Sequence, residues 1–145
     1  MFKDIFVDNN VAKNFCNPLD IEYRAFIKWL YKEGALVVSN KVIVEYHRST
    51  SHSYSCTNII VIIDRLLRDG RLNKISNYAL KRFAIKKHIL NTLRSNPKDH
   101  EHLKIVLLSV RKLALSMDKS FRFDVNNYPG YLAFAASRPN EIPYV

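Results

Sequence analysis

Residues 4–8 read Asp4-Ile5-Phe6-Val7-Asp8, an apolar run that ends on an acid. Asn9 and Asn10 come next, and asparagine commonly begins a helix because its side chain accepts a hydrogen bond from the first turn. The stretch therefore predicts a short buried strand that turns directly into a helix.

The same order of elements follows along the chain. Apolar residues recur at helical spacing from residue 20 to residue 33, which predicts a helix of about fourteen residues. Ala35–Val38 predicts a second buried strand, and Ser39 and Asn40 can begin the helix after it. Two strand–helix units in succession predict a parallel sheet and an α/β fold.

The stretch from residue 57 to residue 94 lacks strand-like alternation. Its apolar residues have helical spacing and predict two amphipathic helices. Gly70 and the polar residues 73–77 would separate these helices. No strand is expected in this part of the chain.

The chain after Pro97 returns to the first pattern. Residues 99–110 predict another helix, and residues 113–117 predict a third strand that again ends on an acid, Asp118. The closing strand of such a sheet has no clear signal, and residues 141–145 are its candidate position.

Composition limits the size and the partners of the molecule. A chain of 145 residues with 48% hydrophobic content suits a single domain, residues 1–145, and no internal repeat or linker divides it. The 23 Lys and Arg residues exceed the 13 Asp and Glu residues and give a formal net charge of +10. Such an excess indicates a polyanionic partner, and nucleic acid is the first candidate.

Other classes of protein fit the sequence less well. The longest apolar run, residues 59–63, is far shorter than the roughly 20 residues of a membrane-spanning helix. The first residues lack the features of a signal peptide, so we expect a soluble, cytoplasmic protein without a membrane partner. Cys16 and Cys56 lie far apart without a CxxC pair, a pattern that indicates neither a disulfide framework nor a zinc site and predicts free, partly buried thiols.

Four acids have positions that suit a common site. Open parallel sheets bind ligands beyond the carboxyl ends of their strands, where Asp8 and Asp118 lie. Glu45 follows the second strand, and Asp99 begins the helix before the third. Clustered carboxylates raise each other's pKa unless a cation lies between them, and oxygen donors favour Mg²⁺ or Mn²⁺. The acids therefore predict a metal site that could activate water at a phosphodiester.

Three segments of the chain resemble PIN-domain nucleases. Residues 5–11, Ile5-Phe6-Val7-Asp8-Asn9-Asn10-Val11, resemble the opening segment, in which an Asn stands two residues after the acid. Residues 37–45, which end on Glu45, are similar to the second segment of that family. Residues 113–121 resemble the fourth segment, a strand that ends in a hydroxyl residue, an acid and a nearby Phe.

This resemblance implies a PIN-like, Rossmann-like three-layer fold with a central parallel β-sheet flanked by helices. It also implies a metal-dependent endoribonuclease that hydrolyses RNA phosphodiester bonds, an activity common among the toxins of toxin–antitoxin pairs. An antitoxin protein and a second copy of the chain are partners that the resemblance allows.

The resemblance also assigns roles to individual residues. Asp8 and Asp118 would bind the metal directly, while Glu45 and Asp99 would complete the site or orient the attacking water. Glu101 is the alternative to Asp99, because the segment Pro97-Lys98-Asp99-His100-Glu101 offers both acids. Hydrogen bonds from Asn10 and Ser116 would orient the carboxylates.

A basic region between residues 65 and 94 is the candidate RNA-binding surface. Seven of its residues are assigned to phosphate contacts: Arg65, Arg68, Arg71, Lys81, Arg82, Lys86 and Lys87. A solvated pair of helix faces is the alternative. Tyr46, Tyr54 and Tyr78 could stack on unpaired bases, although tyrosines at this spacing more often lie at the edge of a core.

Each single acid also has an ordinary structural interpretation. Asp8 could cap the helix that follows it, Asp118 could be a turn residue, and Asp99 could be a conventional helix start. His100 and His102 are two residues apart on a predicted helix and point to different faces, so we interpret them as surface or helix-packing residues.

Two non-catalytic functions compete with the nuclease. The first is a nucleic-acid-binding module that reads its target with the basic helices in a helix-turn-helix manner, with Gly70 in the turn. The second is an inactive scaffold with the PIN-like fold, in which neither Asp99 nor Glu101 reaches a metal.

Overall fold

A computed structural model describes residues 3–50 and 55–145 of the chain. Within these residues, five strands form one sheet in which all neighbouring strands are parallel, in the order β3-β2-β1-β4-β5. The strands are β1 (Asp4–Val7), β2 (Ala35–Val38), β3 (Leu72–Lys74), β4 (Leu113–Leu115) and β5 (Phe134–Ala136). The prediction of an α/β fold with a central parallel sheet flanked by helices is confirmed, and the arrangement is consistent with a Rossmann-like fold.

Helices cover the sheet. They are α1 (Asn9–Ala12), α2 (Ile21–Lys32), α3 (Asn40–Ser49), α4 (Ile59–Arg68), α5 (Asn77–Arg82), α6 (Lys87–Leu90), α7 (His100–Leu108) and α8 (Lys119–Asn126), with short 3-10 turns at Pro97–Asp99 and Pro139–Glu141. Helix α2 packs against α4, and α7 packs against α8. Right-handed crossovers, the rule for parallel strands, place these two pairs on opposite faces of the sheet.

The three predicted strands, β1, β2 and β4, are the central strands of the sheet. All residues of β1, β2 and β4 are buried, as expected for central strands of a parallel sheet with helices on both faces. Helix α3 begins as predicted, because Ser39 accepts a hydrogen bond from the N–H of Val42. Helix α1 does not, because Asn9 and Asn10 lie inside it and no described side chain caps its start. Gly34 ends α2 where a Cβ atom would lie 2.6 Å from the ring of Trp29.

The prediction for residues 57–94 is wrong in two respects. A strand, β3, follows Gly70, whose φ of 72° turns the chain out of α4. The expected second helix is divided into α5 and α6 by an extended residue, Phe83. Strand β3 was not predicted because it has three residues, none of them fully buried, and therefore shows no run of apolar residues in the sequence. Strand β3 also lies between α4 and α5, so these two helices are not joined by the simple turn that a helix-turn-helix arrangement has.

The closing strand is β5 and not residues 141–145, so that prediction is wrong as well. The side-chain amide of Asn126 accepts a hydrogen bond from the N–H of Ala135 (2.7 Å) and donates one to its carbonyl (3.1 Å). These two hydrogen bonds between α8 and β5 hold the three-residue strand in place, although its local sequence does not predict a strand. Ile142 and Tyr144 instead fill the core beside α2.

A buried acid, Asp4, organises the amino end of β1. Its carboxylate accepts hydrogen bonds from the side chain of Asn73 (2.8 Å) and from the backbone N–H groups of Val110 and Arg111 (both 2.9 Å). These donors come from β3 and from the loop between α7 and β4, so one side chain links three separate parts of the chain.

No helix among the described residues is long and apolar enough to cross a membrane.

Candidate active site

The carboxyl end of the sheet brings two of the predicted acids together. Asp8 directly follows β1, Asp118 lies three residues after the end of β4, and these strands are neighbours in the sheet. The pairing extends one residue past β1, because the N–H of Asp8 donates to the carbonyl of Leu115 at 2.8 Å. The parallel register therefore places both acids at the same edge.

Ser116 and Asn10 contact the Asp8 carboxylate. The Ser116 hydroxyl donates to Oδ2 of Asp8 at 2.7 Å and accepts from the N–H of Asp118 at 3.1 Å. Asn10 Nδ2 lies 3.4 Å from the same Asp8 oxygen, and its Oδ1 accepts from the N–H of Met117. Asp8 thus has one close and one distant side-chain donor, and both come from the segments predicted to surround it.

Two helix-start acids do not perform the capping role that was their ordinary interpretation. Asp8 precedes α1 and Asp99 precedes α7, yet neither side chain makes the hydrogen bond that caps its helix. Asp118 differs, because its Oδ1 accepts from the N–H groups of Ser120 and Phe121 at 2.9 and 3.2 Å. Capping therefore accounts for Asp118 but leaves Asp8 and Asp99 unexplained.

His102 joins the remaining acids, and sequence reasoning missed it. Its ring is 3% exposed and lies between Glu45, whose Oε2 is 3.2 Å from Nε2, and Asp99, whose Oδ1 is 3.8 Å from Nδ1. Nε2 of His102 is buried, and its close neighbour among the described residues is the Glu45 carboxylate; this contact also lowers the pKa of Glu45. The Asp99-x-x-His102 spacing on one helix was the available signal, but it does not reveal that α3 lies opposite.

The electrostatics connect these groups into one cluster. Burial raises the pKa of Asp8 above its ordinary value, although the Ser116 hydroxyl and His102 act to lower it, and the nearby Asp99 carboxylate adds to the increase. Burial would also raise the pKa of Glu45, but His102, Lys41 and Lys98 bring it below its ordinary value.

Tyr46 lies beneath this cluster. Burial raises the pKa of its phenol well above the ordinary value, and the charges of Asp8 and Glu45 act in the same direction. Its hydroxyl donates to the carbonyl of Val7. Tyr46 is fully buried, so it is unable to stack on a base and serves as a support for the acids.

Glu101 is the other candidate for the third acid, and it contacts Ser39. Its Oε2 lies 3.5 Å from the hydroxyl of Ser39, and its side chain lines a groove between α5 and α7. Asp99, by contrast, approaches His102 and influences Asp8. Of the two alternatives for the third acid, Asp99 is the one that the fold brings towards Asp8.

The oxygen donors of the acids suit a hard cation, but the present positions of the described side chains do not. Asp8 is a largely desolvated carboxylate without an ion-pair partner in the described part of the chain, and oxygen donors of this kind suit Mg²⁺ or Mn²⁺. However, no three Asp, Glu, His or Cys side chains among residues 3–50 and 55–145 converge closely enough to hold an ion. Glu45 and Asp99 contact opposite nitrogens of one ring, which keeps the two carboxylates apart.

Comparisons with family models, with curated proteins and with solved structures found no match to this chain. The resemblance to PIN-domain nucleases therefore rests on three short segments of the sequence. Any function must be argued from the acids and from the charged surfaces near them.

The basic region divides into two parts of different character. On α4, Arg65 pairs with Asp69 and Arg68 pairs with Asp64, both four residues apart. Arg71 is committed to the fold, because its guanidinium donates to the carbonyls of Leu30, Tyr31 and Gly34 and pairs with Asp69. These three arginines thus have partners within the molecule.

The second part, on α5 and beside α6, retains its full charge. Lys81, Arg82, Lys86 and Lys87 are exposed, and none of them forms an ion pair with another described residue. Tyr78 on α5 is 67% exposed. Of the other tyrosine candidates, Tyr54 lies outside the described residues.

The cysteines and the other described histidines add no ligand set. Cys16 and Cys56 are free, as predicted, but both are exposed and not partly buried. His47 is exposed on α3, and His100 is half-buried in the groove that Glu101 lines. His102 is therefore the histidine that bears on the acid cluster.

Proposed function

We propose that this chain is a divalent-metal-dependent endoribonuclease with a PIN-like active site. The observation that carries the proposal is the pair Asp8 and Asp99. Both acids stand at helix starts without capping them, and burial together with the Asp99 charge raises the pKa of Asp8. A fold that desolvates one carboxylate near another gains stability from a cation placed between them.

The chain's own residues divide the work in this proposal. Asp8 and Asp118 hold the ion, while the Ser116 hydroxyl and the Asn10 amide orient the Asp8 carboxylate. Glu45 and Asp99, kept in place by His102, orient the attacking water. A bound Mg²⁺ or Mn²⁺ supplies a water of lowered pKa and neutralises charge on the phosphodiester.

RNA is the proposed substrate because the chain has a large net positive charge and because exposed cations lie on α5 and near α6. The formal net charge of +10 supports a polyanionic ligand, and the unpaired cations of α5 and the α6 region provide a surface for it. Cations already paired on α4 contribute less, since a phosphate must first displace their carboxylates. An antitoxin protein is a proposed partner on the strength of the resemblance.

An inactive scaffold is the second candidate function. The observation that favours it is the lack of three converging ligands among the described residues. In that case the protein binds RNA through its basic surface, and the acids keep their positions without a metal.

The deciding experiment is cleavage of a mixed cellular RNA pool by the purified chain with Mg²⁺, with Mn²⁺ and with EDTA. The Asp8→Asn variant is run beside it, and Glu33→Gln is a matched acid-to-amide control at the far end of the sheet, where Glu33 pairs with Lys3. We expect metal-dependent cutting by the parent and by Glu33→Gln, and none by Asp8→Asn. Binding without cutting under every condition supports the inactive scaffold.

A further inference from the structure

We propose that the groove between α5 and α7 binds an unpaired nucleotide of the RNA, with its phosphate against Lys81 and Lys104 and its base stacked on Tyr78. This inference rests on the proposed function for its substrate, RNA, but not on cleavage itself. The groove has a volume of about 460 Å³, and its lining includes Asn77, Lys81, His100, Glu101 and Lys104.

The groove lies next to the acid cluster. Ser39, which directly follows β2 at the carboxyl edge of the sheet, is 3.5 Å from Glu101 on the groove wall. Pro97 lines the groove and belongs to the same 3-10 turn as Asp99. An RNA strand that occupies the groove therefore lies against the turn that carries Asp99.

Positive charge dominates the groove. Lys81 is exposed, and Lys104 is held at the wall by a hydrogen bond from Nζ to the carbonyl of Leu80 at 3.3 Å. Neither lysine forms an ion pair with any described residue, so both can contact a phosphate directly. Glu101 is the acid in the lining, and its contact with Ser39 directs it towards the sheet.

Tyr78 lies on α5 directly after Asn77, a residue that lines the groove. Its side chain therefore emerges about 100° further round the helix. Arg82 fixes the ring, because its guanidinium lies 5.5 Å from the ring centroid and donates to the phenol oxygen at 2.9 Å. An aromatic ring left 67% exposed but held in position offers a face on which a base can stack.

Stacking on Tyr78 requires an unpaired base. In a duplex both faces of a base are covered by its neighbours, whereas an unpaired base can turn out and stack on an aromatic side chain. The phosphates next to that base then reach the lysines of the groove. The groove therefore discriminates by strandedness, while Lys81 and Lys104 add affinity that depends on salt.

The test is fluorescence anisotropy with the full-length Asp8→Asn chain, so that cleavage does not disturb binding. The probe is a labelled single-stranded RNA of mixed sequence, free or annealed to its complement. We expect tighter binding of the single strand, a loss of about 10-fold in affinity for Tyr78→Ala, and near-parent affinity for Tyr78→Phe, which retains the stacking ring. Lys81→Gln combined with Lys104→Gln should weaken binding about 10-fold and reduce its salt dependence.

Lys28→Gln on α2 is the matched charge control, since Lys28 is exposed and lines a different pocket. Equal affinity for single and double strands, parent affinity for Tyr78→Ala, no measurable RNA binding, or an equal loss for Lys28→Gln would each overturn the inference. The two proposals fail separately. A wild-type chain that binds as expected but never cleaves disproves the nuclease alone, and one that cleaves while Tyr78→Ala changes neither affinity nor KM disproves the groove alone.

Discussion

The two ends of β1 each carry an aspartate, and the two carboxylates have opposite surroundings. Asp4 is 0% exposed and accepts three hydrogen bonds of 2.8 to 2.9 Å from Asn73, Val110 and Arg111. Asp8 has one close side-chain donor, Ser116, and burial raises its pKa although hydrogen bonds from Ser116 and from the Asn9 backbone act to lower it. An acid whose oxygens are satisfied by the fold is a structural element, whereas an incompletely satisfied one is available to an external group.

The largest expected effect is on cleavage at the carboxyl end of β1. Asp8→Asn keeps the shape of the side chain and removes its charge, so we expect cleavage of RNA to fall by about 100-fold or more. The free energy of unfolding should stay the same or increase, because a desolvated charge is lost. Rates measured on RNA and a urea titration check both parts. An active or strongly destabilised variant would contradict the contrast with Asp4.

At the amino end, Asp4→Asn should mainly affect stability. The variant offers one acceptor oxygen to three donors, so at least one N–H group is left facing the amide nitrogen. We expect the free energy of unfolding to fall by about 3 kcal/mol. A urea titration measures this loss, and cleavage under folding conditions should stay near the parent rate. A stable Asp4→Asn chain would show that the three bonds contribute little.

An intermediate effect is expected from His102, which distinguishes positioning from packing. His102→Gln keeps a polar group near Glu45, while His102→Leu fills the space with an apolar side chain. We expect kcat to fall about 10-fold in His102→Leu and less in His102→Gln, with KM little changed in both. Equal kcat values for the two variants, with matching unfolding curves, would reduce His102 to a packing residue against Phe6.

The smallest expected effect is the pH dependence of stability. Because the pKa of Asp8 is higher in the folded chain than its ordinary value, the folded state binds more protons between the two values. The stability of the parent should therefore decrease relative to Asp8→Asn as the pH rises through that window, and stay constant relative to it above the folded pKa. Urea titrations at a series of pH values measure the difference. An opposite slope would mean that the fold stabilises the Asp8 charge.

The burial and the length of each strand determine whether it could be predicted from the sequence. β1, β2 and β4 are fully buried runs, so they are visible as apolar segments, and the acids that follow them were recognised from position. β3 and β5 have three residues each and depend on partners far along the chain, such as Asn126 for Ala135. No local pattern encodes such pairing.

Side-chain partners were the other limit on prediction. The sequence identified Arg71 as a cation but did not show that its guanidinium donates to three backbone carbonyls and forms an ion pair with Asp69. Similarly, His102 was assigned to packing, and its position between Glu45 and Asp99 depends on how α3 and α7 lie across the sheet. Helix spacing determines the face of a residue but not its neighbour on another helix.

The central position of β1 also sets the order in which the site can form during synthesis. β1 pairs with β2, which follows soon after it, and with β4, which is made near the end of the chain. Long-range pairing of this kind is slow because a long loop must close first. A growing chain therefore carries Asp8 and Glu45 long before it carries Asp99, His102 and Asp118. The cluster is therefore complete only once the region after residue 97 has folded onto the first strand.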